Sequence, residues 1–109
     1  MATNKKEILQ LNDLIKMRVE QLENKNQFVI YYKNNYTEIV VFQSYRTIIA
    51  IYYPYEKELF INWHYWDYSK TTSKHLKIFI NDYTIYKYDN KKQFLDFITS
   101  DNMVKLFEE

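Results

Sequence analysis

The stretch Trp63-His64-Tyr65-Trp66-Asp67-Tyr68-Ser69-Lys70-Thr71-Thr72-Ser73-Lys74-His75-Leu76-Lys77-Ile78-Phe79-Ile80-Asn81-Asp82-Tyr83 changes its period partway along, and that change decides the fold class. Ile61, Trp63 and Tyr65 alternate with Asn62, His64 and Trp66, the two-residue repeat of a strand with one covered face. Asp67 and Ser69 break the repeat, because their short oxygen-bearing side chains bond nearby amides and favour turns. Thr71 or Thr72 can cap a helix, since a hydroxyl there accepts from an otherwise orphaned amide. Leu76, Phe79, Ile80 and Tyr83 then recur at helical spacing, with Lys74, Lys77 and Asn81 on the other side. The spacing predicts a strand, a capped turn and a helix from Thr72 to Asn81.

Upstream, the pattern is that of strands. Phe28–Lys33 and Tyr36–Gln43 flank Asn34-Asn35, a hairpin signal because Asn tolerates left-handed turn positions. Tyr45–Tyr53 reads as a third strand, rich in β-branched and aromatic residues, and Pro54 marks its exit. Leu59–Trp66 returns as a fourth. In the third strand Ile48, Ala50 and Tyr52 alternate with Thr47, Ile49 and Ile51, so apolar character reaches both faces, as in a central strand. Thr84–Tyr88 could add a fifth.

The ends read as helices. Thr3 to Glu23 carries Ile8, Leu11, Ile15 and Leu22 in one stripe, widened by Leu14 and Val19, with Thr3 or Asn4 as cap. Such a helix packs on a sheet or forms a homodimer seam, though the stripe is short and broad for a heptad array. Asp89 or Asn90 can cap a helix to about Thr99, and Ser100 or Asp101 a last one carrying Met103, Val104, Leu106 and Phe107. The expectation is one α+β domain over residues 1–109. It has an antiparallel sheet of four or five strands, packed by an N-terminal helix, a middle helix and C-terminal helices.

Composition bounds the chemistry. Cys is absent, so disulfide and thiolate chemistry are excluded, and a reducing cytoplasm is the expected compartment. The start, with Lys5, Lys6 and Glu7, reads as neither a signal peptide nor a membrane span. With 15 basic and 14 acidic residues the net charge is +1, which demands no polyanionic partner. A local basic run holds Lys70, Lys74, Lys77, Lys87, Lys91 and Lys92 against Asp82 and Asp89. Gly is absent, so left-handed turn positions are expected at Asn34-Asn35, Asn81-Asp82 and Asp89-Asn90. The surplus of Lys, Asn, Ile, Tyr and Phe over Gly, Pro, Ala and Arg points to an AT-rich gene, as in a virus or mobile element of a low-GC bacterium.

No catalytic motif emerges. His64, Asp67 and His75 are of the right types for a two-His, one-carboxylate metal site, but their spacing matches no established motif. Ser69, His75 and Asp67 contain the ingredients of a nucleophilic triad without the glycine-supported turn and oxyanion hole that hydrolases use. A phosphate loop is impossible without Gly. A protein that is not an enzyme and takes no metal or cofactor is expected. The chain has 12 Tyr, too many for one small core, so some must be exposed. Exposed rings can stack on bases of single-stranded nucleic acid, or they can form a protein-binding patch. The neutral charge balance favours the protein partner.

Ser44-Tyr45-Arg46-Thr47-Ile48-Ile49-Ala50 and Trp66-Asp67-Tyr68-Ser69-Lys70-Thr71-Thr72-Ser73-Lys74-His75-Leu76 together resemble a family of small phage and prophage proteins of Gram-positive bacteria. The resemblance spans about Ser44 to Ile80 and implies a phage origin. It assigns no catalytic residue. Small phage proteins of this setting often bind a host enzyme, including defence nucleases such as CRISPR effectors. The expectation is therefore a cytoplasmic inhibitor of a host protein. Its contact surface is expected to include Tyr65, Trp66, Asp67, Tyr68, Lys70, Lys74 and Lys77. The alternative is a single-strand nucleic-acid binder using an aromatic sheet face with Lys70, Lys74, Lys77 and Lys87.

Overall fold

The computed structural model describes residues 16–108. Six strands form one sheet in the order β1-β2-β3-β4-β5-β6: β1 (Lys16–Gln21), β2 (Gln27–Lys33), β3 (Glu38–Ser44), β4 (Thr47–Tyr53), β5 (Glu58–Asn62) and β6 (Val104–Phe107). Two helices, α1 (Lys70–Tyr83) and α2 (Lys91–Ser100), lie in the chain between β5 and β6. The α+β class expected from the sequence is present. The sheet is mixed rather than antiparallel, because β6 returns after both helices and pairs parallel to β5.

Several expected elements differ. Residues 16–21, read as the end of a helix, form β1, whose register with β2 runs from Lys16↔Lys33 to Gln21↔Phe28. Met17, Val19 and Gln21 alternate with Lys16, Arg18 and Glu20, so the segment suits a strand as well as a helix, and cross-strand pairing with β2 takes it. Leu22 and Glu23 are irregular, and residues 3–15 of the expected N-terminal helix and dimer seam lie outside the described residues. Met103–Phe107, read as part of a last helix, supplies β6 after a turn in which the Asp101 carboxylate accepts from Met103 N at 2.9 Å. Thr84–Tyr88, the expected fifth strand, is an irregular link. Its backbone is satisfied by side chains: the Asn81 carboxamide donates to Tyr88 O at 2.9 Å and accepts from Tyr88 N at 2.8 Å. A strand neighbour would have made the same two bonds.

The turns find left-handed residues elsewhere than expected. Among the described residues, positive φ falls at Asn26 (67°), Tyr45 (56°) and Lys57 (58°). The β2–β3 hairpin is made as predicted around Asn34, whose carboxamide oxygen accepts from Tyr36 N and Thr37 N at 2.8 and 2.9 Å, with no left-handed residue. The β3–β4 connection is only Tyr45-Arg46. The register between these strands shifts at Phe42/Gln43, so Ile49 has no cross-strand partner on β3. The bulge buries Ile49 and Ala50 side by side, while Ile48 and Ile51 fall on the opposite face, so apolar character reaches both faces of β4 as expected.

Both helices cover one face of the sheet. Val29, Val40, Phe42, Ala50, Tyr52, Leu59, Ile61 and Val104 point into that layer and meet Leu76, Phe79 and Ile80 of α1 and Phe94 and Ile98 of α2. Phe42 stacks on Phe79 at 5.8 Å, and Tyr52 meets Tyr86 edge-on at 6.4 Å. Two polar groups in this layer lack partners among the described residues: both amide atoms of Gln27, and Nε2 of His75, whose Nδ1–H donates to Thr71 O at 2.7 Å. The opposite face carries Met17 and Val19 from β1, Phe28, Ile30 and Tyr32 from β2, and Ile39 and Val41 from β3. Ile48, Ile51 and Tyr53 of β4 and Phe60 of β5 continue it. None of these belongs to the buried core, and neither helix packs on them.

Candidate functional site

The aromatic segment after β5 is a turn wound around one asparagine. β5 stops at Asn62 rather than running on to Trp66, because the buried Asn62 gathers the chain. Its side-chain oxygen accepts from His64 N at 3.1 Å and Tyr65 N at 3.3 Å, its carbonyl from Trp66 N at 2.9 Å, and its amide donates to Ile48 O at 2.9 Å. Helix α1 then begins two residues earlier than the sequence suggested. Ser69 is the cap and accepts from Thr72 N at 3.1 Å. Thr72 cannot cap, because its own hydroxyl is buried and bonded to Ser69 Oγ at 3.1 Å and Ser44 Oγ at 3.0 Å.

That hydroxyl chain is the floor of a cleft of about 780 Å³. One wall is the β3–β4 turn, with Tyr45, Arg46, Thr47 and Ile49; the other is Tyr65, Tyr68 and Ser69, with Asn26 at one end. The two segments on which the sequence resemblance rests thus form opposite walls of one concavity. Tyr45 N donates to Asn26 O at 2.7 Å, joining two left-handed residues across the end of the cleft. A left-handed tyrosine costs about 1–2 kcal/mol relative to ordinary backbone. Here Gln43 Nε2 helps hold it by donating to Tyr45 O at 2.7 Å. Tyr45 is 52% and Tyr68 73% exposed. Among the described residues Arg46 is the one charged residue on the lining.

The residues expected to bind a partner divide around Ser69. Tyr65 and Tyr68 face the cleft, packed edge-on at 5.9 Å. Trp66, Asp67, Lys70, Lys74 and Lys77 line a second hollow of about 460 Å³ with Lys91 and Phe94. Ser69 borders both hollows, so the segment Tyr65–Lys77 stands as a ridge between them. Trp66 is only 8% exposed: its ring lies 4.7 Å from Phe94 and 5.9 Å from Trp63, in the core. The Lys91 ammonium covers that ring at 5.3 Å and pairs with Asp67 at 3.6 Å. Lys74 pairs with Glu23 at 3.3 Å, and Lys77 donates to Asp89 O at 2.9 Å. Lys87 donates to Asn81 O, away from the ridge.

Sequence reading missed Asn26, Tyr45, Arg46 and Thr47 as part of this site. The sequence pattern runs Tyr45 into a strand, since nothing in Ser44-Tyr45-Arg46-Thr47 marks a two-residue turn. The signal that could have found it is the pairing of the two resembling segments. The imagined catalytic groupings do not assemble. Ser69 Oγ is engaged with Thr72, His75 is buried within α1 and bonded to Thr71 O one turn back, and His64 is exposed, edge-on to Tyr65 at 4.6 Å. Among the described residues no group of three or more His, Cys, Asp or Glu could hold a metal ion. No described helix is long and apolar enough to cross a membrane.

No curated protein and no solved structure matches the chain. A family model matches residues 17–96, from β1 into α2, and so takes in both walls of the cleft and the ridge. On that match the chain belongs to DUF8033, a family of unknown function.

Proposed function

We propose that this protein is a small phage accessory factor, acting in the cytoplasm of a bacterial host, that binds and inhibits a host protein. A defence nuclease is the partner class this setting suggests. The observation that carries the reading is the cleft: two exposed tyrosines and an arginine converge on it, Tyr45 being held in left-handed backbone. Tyr and Arg dominate binding hot spots because they bring large contact area and directional hydrogen bonds at little entropic cost. Backbone held in a disfavoured region at an exposed position is the kind of strain that collects at binding sites. Arg46, with no acidic residue beside it on the lining among the described residues, suits a partner segment that presents a carboxylate or backbone carbonyls.

The nucleic-acid alternative draws less support. It needs the aromatic sheet face and Lys70, Lys74, Lys77 and Lys87 on one surface. Three of these lysines sit on α1, which packs on the other side of the sheet from the aromatic face of Phe28, Tyr32, Tyr53 and Phe60, whose rings are half-buried.

The test is affinity capture from host lysate, with and without nuclease. The wild-type chain is compared with a variant carrying Tyr45→Asn, Arg46→Ala and Tyr68→Ala, all at exposed positions. One host protein retained after nuclease treatment and lost with the variant is expected, and adding the wild-type chain to that protein should reduce its activity. Identical capture by both chains, or recovery of nucleic acid alone, would overturn the reading.

A further inference from the structure

We infer that the face of the sheet on which no described helix packs is the contact between two copies of this chain, packed sheet on sheet about a two-fold axis. The surface is large. Six strands at about 4.8 Å spacing and about six residues at 3.3 Å give a patch of roughly 24 by 20 Å. With side-chain relief this is on the order of the 800 Å² per partner that a stable interface takes. As a flat area it is in the upper part of the roughly 300–600 Å² range of the largest apolar patch on a monomer, a size that is often functional. On β1 the exposure is greatest, with Met17 at 66% and Val19 at 58%. Burial of the centre, around Ile30, Val41 and Ile51, is what such packing would add.

The charges point to a copy of the same chain rather than a charged partner. Among the described residues the face carries Glu58 and Lys105, which pair with each other at 2.8 Å near one margin. Lys105 also lies 5.9 Å from the Phe60 ring. With that lysine paired, the face offers little to draw a nucleic acid, and a neutral surface does not repel its own image. Two identical sheets have the same twist, so they can pack aligned at about 30° with side chains interdigitating. The isologous contact closes on itself as a dimer.

The cleft lies by the β3–β4 turn on the helix side of the sheet, so this contact stands or falls independently of it. Sedimentation equilibrium of the full chain across the micromolar range is expected to show a species of twice the 13.6 kDa chain mass. Ile30 and Val41 are cross-strand partners. Replacing them together, as Ile30→Glu with Val41→Lys, leaves an ion pair within one chain but places charges in the contact. The variant should raise the dissociation constant at least about tenfold with an unchanged circular dichroism spectrum. Ile51→Thr, a milder change on the same face, should weaken association in the same direction. A monomer at all concentrations would overturn the inference, whether the face is then covered by residues 1–15 or by a different protein. So would a dimer indifferent to both variants.

Discussion

Replacing Gln27 by Met should make this protein more stable. Gln27 opens β2, faces Ser44 across the β2–β3 pairing and is fully buried, with neither amide atom bonded to a protein group among the described residues. Mutational series place the cost of burying an unpaired amide at about 1–3 kcal/mol. Met has nearly the same length and volume, so the exchange removes the polar atoms without opening a cavity. The expected gain is therefore about 1–3 kcal/mol, and at about 4 °C per kcal/mol for a domain of this size it raises the melting temperature by roughly 4–12 °C. Urea unfolding followed by tryptophan fluorescence measures it, with an unchanged denaturant slope showing that the two end states are otherwise the same. A midpoint that stays put or falls would refute the reasoning, and would mean that water satisfies the amide in solution.

The same geometry leads to other expected outcomes. Trp66→Ala should cost about 3–5 kcal/mol, as for a large aromatic lost from a core, whereas Tyr68→Ala should change unfolding free energy by no more than about 0.5 kcal/mol. Chemical denaturation separates the two, and equal effects would contradict the burial described for Trp66. Ser69→Ala removes the helix cap and one link of the cleft floor, for an expected loss of about 1 kcal/mol in the same assay. Tyr45→Gly relieves left-handed strain and should leave stability unchanged or raise it by up to about 1 kcal/mol while weakening partner capture. Burial, with a hydrogen bond of 2.8 Å to Glu20, pushes the Tyr83 phenol up from 10.0 to about 12. The neutral phenol is the form favoured by folding, so its contribution is complete below pH 10 and is lost as pH rises through about 12. Denaturation midpoints over that alkaline range should fall for the wild type and fall less for Tyr83→Phe.

Strong local patterns in the sequence survived folding, and weak ones yielded to tertiary pairing. The β2–β3 hairpin around Asn34 and helix α2 behind its Asn90 cap formed as the residues dictated, because each carries its own turn or capping chemistry. The two ends of the described chain did not. Lys16–Gln21 and Val104–Phe107 are too short for period two to be told from period 3.6, and both became strands at the sheet edges, where a neighbour offered backbone partners. Ser69 displaced the expected threonine caps for a reason no local rule contains: Thr72 is committed to Ser44, distant in sequence. The site was legible by half. Tyr65 and Tyr68 were found from the aromatic run, but the facing wall at Tyr45-Arg46 exists only because a glycine-free chain makes its tightest turn with a tyrosine in left-handed backbone.

The parallel pairing of β6 with β5 has a consequence for the order of folding. Strands β1 to β5 form a meander in which each pairs with its neighbour in sequence, so they can zip together through short loop closures. The partner of Leu59 is Val104, and no hairpin can bring them together. Both helices must first be laid across the sheet, so the last strand docks onto a scaffold already assembled. A pulse-labelling exchange experiment would then see the amides of β2, β3 and β4 acquire protection ahead of the Leu59 amide, which bonds to Met103 O at 3.0 Å only when the chain's final turn arrives.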